Sequence, residues 1–98
     1  MILRILFTAA FACAAPGAAA QDANARNLAA GCAICHGTEG RAVTKDVTTL
    51  AGIPPDHLAK QMRDFRDGKR PATVMHQIAK GYSDEQIGQI ADYLSTQK

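Results

Sequence analysis

The feature that most constrains this chain is the segment from Gly31 to Gly37, GCAICHG, in which two thiols and an imidazole lie within five residues. The pattern Cys-x-x-Cys-His suits three kinds of chemistry, which are covalent attachment of haem, part of a zinc site, and thiol–disulfide exchange. Each of these demands different surroundings. The rest of the sequence therefore decides among them.

Residues 1–20 have the pattern of a secretory signal peptide. A single basic residue, Arg4, precedes an apolar run from Ile5 to Ala15, and the small residues Ala18–Ala20 provide a cleavage site. A membrane-spanning helix needs about 20 apolar residues, and this run is shorter. We therefore expect the signal peptide to be removed, and residues 21–98 to form a periplasmic domain without a membrane span.

The size and composition of the mature part indicate one small domain with a thin core. Removing residues 1–20 from the 98 of the chain leaves 78. A domain of that size buries only about 60% of its unfolded surface. Its aromatic side chains are Phe65, Tyr82 and Tyr93, and it has no Trp. A large apolar cofactor would supply the missing core.

The charge balance gives no reason to expect nucleic acid as a partner. The whole chain has 11 Lys and Arg against 9 Asp and Glu, and the signal peptide contains only Arg4 among them, so the mature net charge is near +1. One stretch does hold a group of basic residues interspersed with Asp, at Lys60, Arg63, Arg66, Lys69 and Arg70. We interpret this basic group as a solvated helix face, with docking or the binding of haem propionates as the alternative.

The spacing of apolar residues, together with residues that typically start or end helices, predicts four helices and no strand. The helices run from about Asp22 to the cysteine motif, from Pro54 to Gly68, from about Thr73 to Lys80, and from Ser83 onward. The last has the clearest start, since Ser83 followed three residues later by Gln86 is the pattern of a capping box. The loop from about 37 to 53 is long for so small a domain, and we expect it to wrap a bound group.

Of the three chemistries, haem attachment uses every residue of the motif. Cys32 and Cys35 would form thioethers with the two vinyl groups, and His36 would bind the iron on one face. A zinc site would need a further ligand, and the other histidines, His57 and His76, are single and far apart. A thiol-exchange motif usually follows a strand, and none is predicted. A structural disulfide beside a chance histidine is the remaining alternative.

The second face of the iron has several candidate ligands. Met62 lies on an apolar helix face and is interpreted as a core residue. Met75 follows a stretch broken by Gly68 and Pro71, after which a short segment can turn inward. A thioether favours reduced iron and raises its potential. We therefore predict Met75 as the sixth ligand, and the alternatives are His76 or an open site of the kind a gas or redox sensor needs.

The mature chain resembles class I bacterial cytochromes c, and within them the cytochrome subunits of flavocytochrome c sulfide dehydrogenases. The stretches that carry the resemblance are LAAGCAICHGTEG, LAG at 50–52, and DFRDGKRPATVMHQIAKGYSDEQ at 64–86. The first indicates only haem c, whereas the third is more particular to these subunits. The resemblance implies a small all-α class I cytochrome c fold, with about four helices around one covalently bound haem c.

The resemblance also implies roles for residues and partners. Cys32 and Cys35 bind the haem covalently, His36 and Met75 are the axial iron ligands, and no residue is catalytic. The chain is then an electron carrier and not itself an enzyme. Its partner is an FAD flavoprotein that oxidises sulfide, and a downstream acceptor such as another cytochrome c receives the electrons. The alternative is a free-standing shuttle that donates to a terminal oxidase or another cytochrome.

Two departures from the family pattern bear on these expectations. Relatives usually have Pro two residues before the Leu of LAG, and its carbonyl orients the haem-binding histidine, whereas Thr48 stands there in this chain. A backbone carbonyl can come from any residue, so the bond to His36 can survive with altered geometry. Several relatives carry two haems in tandem domains, whereas a single Cys-x-x-Cys-His motif predicts one haem here.

Overall fold

The described part of the chain is helical throughout. The computed structural model describes residues 17–98, together with Ala10 and Ala12. Its helices are α1 (Gly17–Ala30), α2 (Ala33–His36), α3 (Pro55–Arg66), α4 (Met75–Ala79) and α5 (Asp84–Ser95), with a 3₁₀ turn at Thr38–Gly40. No strand occurs within residues 17–98, so the predicted all-α class is confirmed. None of the helices in this part of the chain has the length and apolar character needed to cross a bilayer.

The first helix starts earlier than predicted and ends where it was predicted to end. It begins at Gly17, so Asp22, the predicted start, lies inside it. The physical reason is that Ala18–Ala20 are strong helix formers, which let the helix start before the polar residue. Helix α1 ends at Ala30, and a turn at Gly31 and Cys32 separates it from α2, a short helix within the cysteine motif that was not predicted. Most of the predicted signal peptide, residues 1–20, lies outside the described residues, and its removal stays a prediction.

Helix α5 starts as its sequence predicts. The Ser83 hydroxyl accepts a hydrogen bond from the Gln86 backbone N–H at 3.2 Å, and the Gln86 side-chain oxygen accepts one from the Ser83 backbone N–H at 3.0 Å. Two backbone donors that have no partner within the helix are thereby satisfied, as in a complete capping box.

Replacing Ser83 by Ala is expected to destabilise the fold by about 1 kcal/mol, because it removes the acceptor for the Gln86 N–H. The change would be measured by chemical denaturation. Ser95→Ala is a matched control, since the Ser95 hydroxyl donates to the Asp92 carbonyl inside the same helix and caps no free donor. The control is expected to stay within roughly 0.5 kcal/mol of the wild type. Equal effects of the two substitutions would contradict the capping role.

The core lies where α5 packs against α1 and α3, and α4 packs against α3. Among the described residues, the buried apolar side chains are Ala25, Ala29, Leu58, Ala59, Ala79, Ile87, Ile90, Ala91 and Leu94. Five of these nine are alanines, and Ile87 is the one large side chain that is fully buried. Alanine contributes little apolar area, so these helices by themselves bury a small core. The thin core expected from composition is therefore observed.

Backbone hydrogen bonds close the loop from 37 to 53 on itself and tie its end to α5. The Gly40 carbonyl accepts from the Leu50 N–H at 2.7 Å, and the Leu94 carbonyl accepts from the Gly52 N–H at 3.0 Å. Gly37 has φ +86°, and a Cβ there would lie 1.8 Å from the Arg41 carbonyl oxygen. Only glycine fits this reversal. The loop is thereby brought back from α2, so that its middle residues come to lie beside His36.

Helices α3 and α4 lie close to their predicted positions. Helix α3 begins at Pro55 and ends at Arg66, two residues before Gly68, whose φ of +75° reverses the chain. Helix α4 is shorter than predicted and begins at Met75. The five residues of α4 are too few to persist alone, and contacts with α3 hold them in place.

Candidate functional site

A cavity of about 610 Å³ lies between the loop, α2, α3, α4 and α5. Its volume is within the about 300–1,000 Å³ that is usual for small-molecule and cofactor sites. The core side chains Leu58, Ile90 and Leu94 form part of its wall. The four residues that the sequence singled out all line it: Cys32, Cys35, His36 and Met75.

The two thiols are presented by one turn of helix. The Cys32 carbonyl accepts hydrogen bonds from the Cys35 N–H at 3.3 Å and the His36 N–H at 2.8 Å. Cys32 is half-buried and Cys35 is exposed, and both are free thiols. Burial raises the pKa of the Cys32 thiol, although a backbone hydrogen bond partly offsets this. Thiols that exchange disulfides usually have lowered pKa values, and the shift at Cys32 is in the opposite direction.

The zinc interpretation also lacks support in the part of the chain that the structure describes. There, no three side chains of His, Cys, Asp or Glu converge as a metal site would require. A zinc ion held by the motif would need at least one such further ligand.

The imidazole of His36 is oriented by the loop. Its Nδ1 lies 2.7 Å from the backbone carbonyl oxygen of Thr48. A carbonyl only accepts hydrogen bonds, so Nδ1 carries the proton and Nε2 keeps a free lone pair. This is the arrangement that fixes a histidine as a metal ligand. The substitution of Thr for the family's Pro at position 48 therefore does not remove the bond.

Both candidate methionines line the cavity, whereas the candidate histidines do not. Met75 is half-buried at the start of α4 and lines the cavity. Met62 packs against the core cluster, as predicted, but it also lines the cavity from α3. His57 and His76 do not line it. Sequence periodicity could not show that Met62 faces both the core and the cavity, because the boundary between the two depends on how α3 and α4 pack.

Two further residues line the cavity. Tyr82 lines the cavity, and its hydroxyl oxygen would lie 3.8 Å from a Cβ placed on Gly31. Arg70 lines it from the segment between α3 and α4. From the sequence, its basic group is interpreted as a solvated helix face, with docking or the binding of haem propionates as the alternative. The proximity of Arg70 to Met75 in sequence was the available signal for its place at the cavity.

Comparison with known proteins bears on what this cavity holds. The family model described as "Cytochrome C oxidase, cbb3-type, subunit III" matches residues 19–94. The chain belongs to this cytochrome c family. Cytochromes c carry haem c and transfer electrons, so the fold and the general role expected from the sequence are confirmed.

Three relatives illustrate the similarity. The cytochrome subunit of sulfide dehydrogenase of Chlorobaculum tepidum is 39% identical over 66 residues, which cover 67% of this chain and 59% of that protein. Cytochrome c4 of Pseudomonas aeruginosa is 37% identical over 81 residues, or 83% of this chain and 40% of that protein. Cytochrome c-554(548) of Halomonas halodenitrificans is 37% identical over 70 residues, which cover 68% of this chain and 84% of that protein. The chain thus spans less than two thirds of the length of the first two.

The residues of the cavity suit the cofactor of this family. Two free thiols and an imidazole with an available Nε2 lie on one side, and a thioether sulfur comes from α4. The remaining wall is largely apolar, as a porphyrin requires, and the small alanine-rich core leaves room for it. A bound haem would supply the apolar surface that the side chains lack.

Proposed function

We propose that this protein is a mono-haem c-type electron carrier in which Cys32 and Cys35 bind one haem covalently and His36 and Met75 ligate its iron. The observation that carries the proposal is that all four side chains line one cavity of cofactor size. A haem iron supplies the one-electron chemistry, and the protein sets its potential and its exposure.

Each residue of the site has a defined task in this proposal. The Thr48 carbonyl holds the His36 ring in one orientation and one tautomer, so Nε2 is the ligating atom. The soft sulfur of Met75 favours the reduced iron. Buried Leu58 and Ile90 exclude water from the wall of the cavity, which lowers the local polarity.

Replacing Thr48 by Ala is expected to leave the optical spectrum and the midpoint potential of the haem protein unchanged, because His36 bonds to the backbone carbonyl and not to the side chain. We expect the free energy of unfolding to change by less than roughly 0.5 kcal/mol. Denaturation and redox titration would measure both quantities. A lowered potential in this variant would show that the Thr48 side chain contributes to the orientation of His36.

We further propose that the protein acts in the periplasm as the electron-transfer subunit of a sulfide-oxidising complex, accepting electrons from an FAD flavoprotein. The similarity to the Chlorobaculum tepidum subunit supports this assignment. Similarity to cytochrome c4 and to cytochrome c-553 of Nitratidesulfovibrio vulgaris, which is 32% identical over 81 residues, fits a free-standing carrier equally well. The electrons would pass onward to an acceptor such as another cytochrome c.

The absorption spectrum of the protein purified gently from its native host tests both levels of this proposal. Haem c bands with a flavin contribution in fixed ratio, and rapid reduction of the haem by added sulfide, are expected for the subunit. Haem c alone, slow to reduce with sulfide, would overturn the subunit assignment and leave the free-standing carrier. Absence of haem that survives acid–acetone extraction would overturn the carrier as well.

A further inference from the structure

The basic group between α3 and α4 is divided by its ion pairs. The Lys60 ammonium lies 2.5 Å from an Asp64 carboxylate oxygen. The Arg66 guanidinium pairs with Asp67 at 3.2 Å and with Asp84 at 2.7 Å, so it ties the end of α3 to the start of α5. Two of the five cations in the basic group, Lys60 and Arg66, are therefore engaged in ion pairs at the surface. Arg70 takes part in none of the ion pairs found among the described residues.

Arg70 is placed at the cavity by the turn that follows α3. Gly68 has φ +75°, which reverses the chain, and the Asp64 carbonyl then accepts hydrogen bonds from the Lys69 N–H at 2.8 Å and the Arg70 N–H at 3.2 Å. The guanidinium carbon of Arg70 lies 5.0 Å from the centroid of the Phe65 ring. Contact between the guanidinium and an aromatic ring restricts the side chain and leaves its N–H groups available for an anion.

The charges around the cavity single out the same residue. The ionisable side chains that line it are Cys32, Cys35, His36, Asp46, Arg70 and Tyr82. Of these, Arg70 alone carries a permanent positive charge, because a guanidinium does not titrate in the ordinary pH range. A haem carries two propionate carboxylates, and they leave the porphyrin on the edge opposite its vinyl groups. Thioethers at the cysteine motif would therefore direct the propionates away from that motif, and Arg70 lines the cavity from a different segment, between α3 and α4.

We propose that Arg70, supported by the Phe65 ring, binds a haem propionate and thereby raises the reduction potential of the iron. The proposal rests on the haem binding argued above and concerns a residue with no assigned role there. A guanidinium matches a carboxylate with two parallel N–H donors, which suits it to hold one end of the cofactor. Its positive charge stabilises the reduced haem relative to the oxidised haem, which has one more positive charge.

The test compares Arg70→Gln with Lys69→Gln in the purified haem protein. Lys69 adjoins Arg70, and both residues are exposed, but Lys69 does not line the cavity. The two substitutions therefore remove the same charge from neighbouring positions. At a fixed ambient potential, Arg70→Gln is expected to lower the ratio of reduced to oxidised haem about threefold, the size of effect that one partly screened charge gives. Lys69→Gln is expected to change that ratio much less.

A second measurement distinguishes direct contact from a general charge effect. The propionate bending band in the resonance Raman spectrum responds to hydrogen bonding of the carboxylate, and it is expected to shift in Arg70→Gln and not in Lys69→Gln. Arg70→Lys keeps the positive charge but loses the planar arrangement of N–H donors. Its ratio of reduced to oxidised haem is therefore expected to match the wild type, while its propionate band lies between those of the wild type and Arg70→Gln. If Arg70→Gln accumulates no haem protein, the propionate band of Arg70→Lys is compared with that of the wild type instead, and a shift in that band indicates contact between Arg70 and the propionate.

Several outcomes would overturn the proposal. A propionate band unchanged in Arg70→Gln, or in Arg70→Lys where that variant decides, would exclude the contact. Equal changes in Arg70→Gln and Lys69→Gln would show a general charge effect. A wild-type protein without covalent haem would overturn this proposal together with the proposed function, and this is visible before any variant is made.

Discussion

Replacement of both Cys32 and Cys35 by Ala is expected to abolish covalent haem attachment and to leave the chain largely unfolded. Attachment is lost because no thiol remains in the motif to form a thioether. The fold is lost because its buried side chains are mostly alanines, and the wall around the 610 Å³ cavity would face water. The free energy of unfolding of ordinary domains is only about 5–15 kcal/mol, because apolar burial is nearly balanced by the loss of conformational entropy. Without its cofactor this chain buries too little apolar surface to reach that range.

The result would be measured as haem retained after acid–acetone extraction and as helical content by circular dichroism. Ile34→Ala is the matched control, since Ile34 lies between the two cysteines and is 89% exposed. It changes the motif without removing a thiol or a core contact, and it is expected to keep both haem and helices. A double-alanine variant that folds cooperatively without haem would contradict the view that the cofactor completes the core.

Replacement of Met75 by Ala is expected to keep the covalent haem but to lower its midpoint potential by on the order of 0.1 V or more, within the roughly 0.8 V that axial ligands span. Loss of the thioether leaves the iron with water or another donor, which favours the oxidised state. The weak absorption that a sulfur ligand gives ferric haem should disappear at the same time. Redox titration and the optical spectrum would measure the two effects.

Met62→Leu is the control for this prediction, because Met62 lines the same cavity from α3 and Leu conserves its apolar volume. We expect the spectrum of that variant to match the wild type. The opposite pattern, with Met62→Leu altering the iron spectrum and Met75→Ala leaving it unchanged, would transfer the role of ligand to Met62. No change in either variant would favour an open sixth site, as a sensor requires.

Features encoded within one helical turn could be predicted from the sequence. The capping box of Ser83 and Gln86 was predicted in full, because both partners lie three residues apart in a fixed geometry. The cysteine motif indicated haem because its three functional residues lie within five positions of one another. The start of α1 was predicted wrongly, since the helix propensity of Ala18–Ala20 outweighs a polar side chain at position 22.

The sequence by itself determined the helical class, the residues that can bind a haem, and the need for something other than side chains to fill the core. Tertiary structure alone decided which groups surround that space. The carbonyl beside His36 comes from a residue 12 positions away, and Arg70 reaches the cavity through a reversal at Gly68. Such contacts depend on how loops return to the helices, and local propensity does not specify that packing.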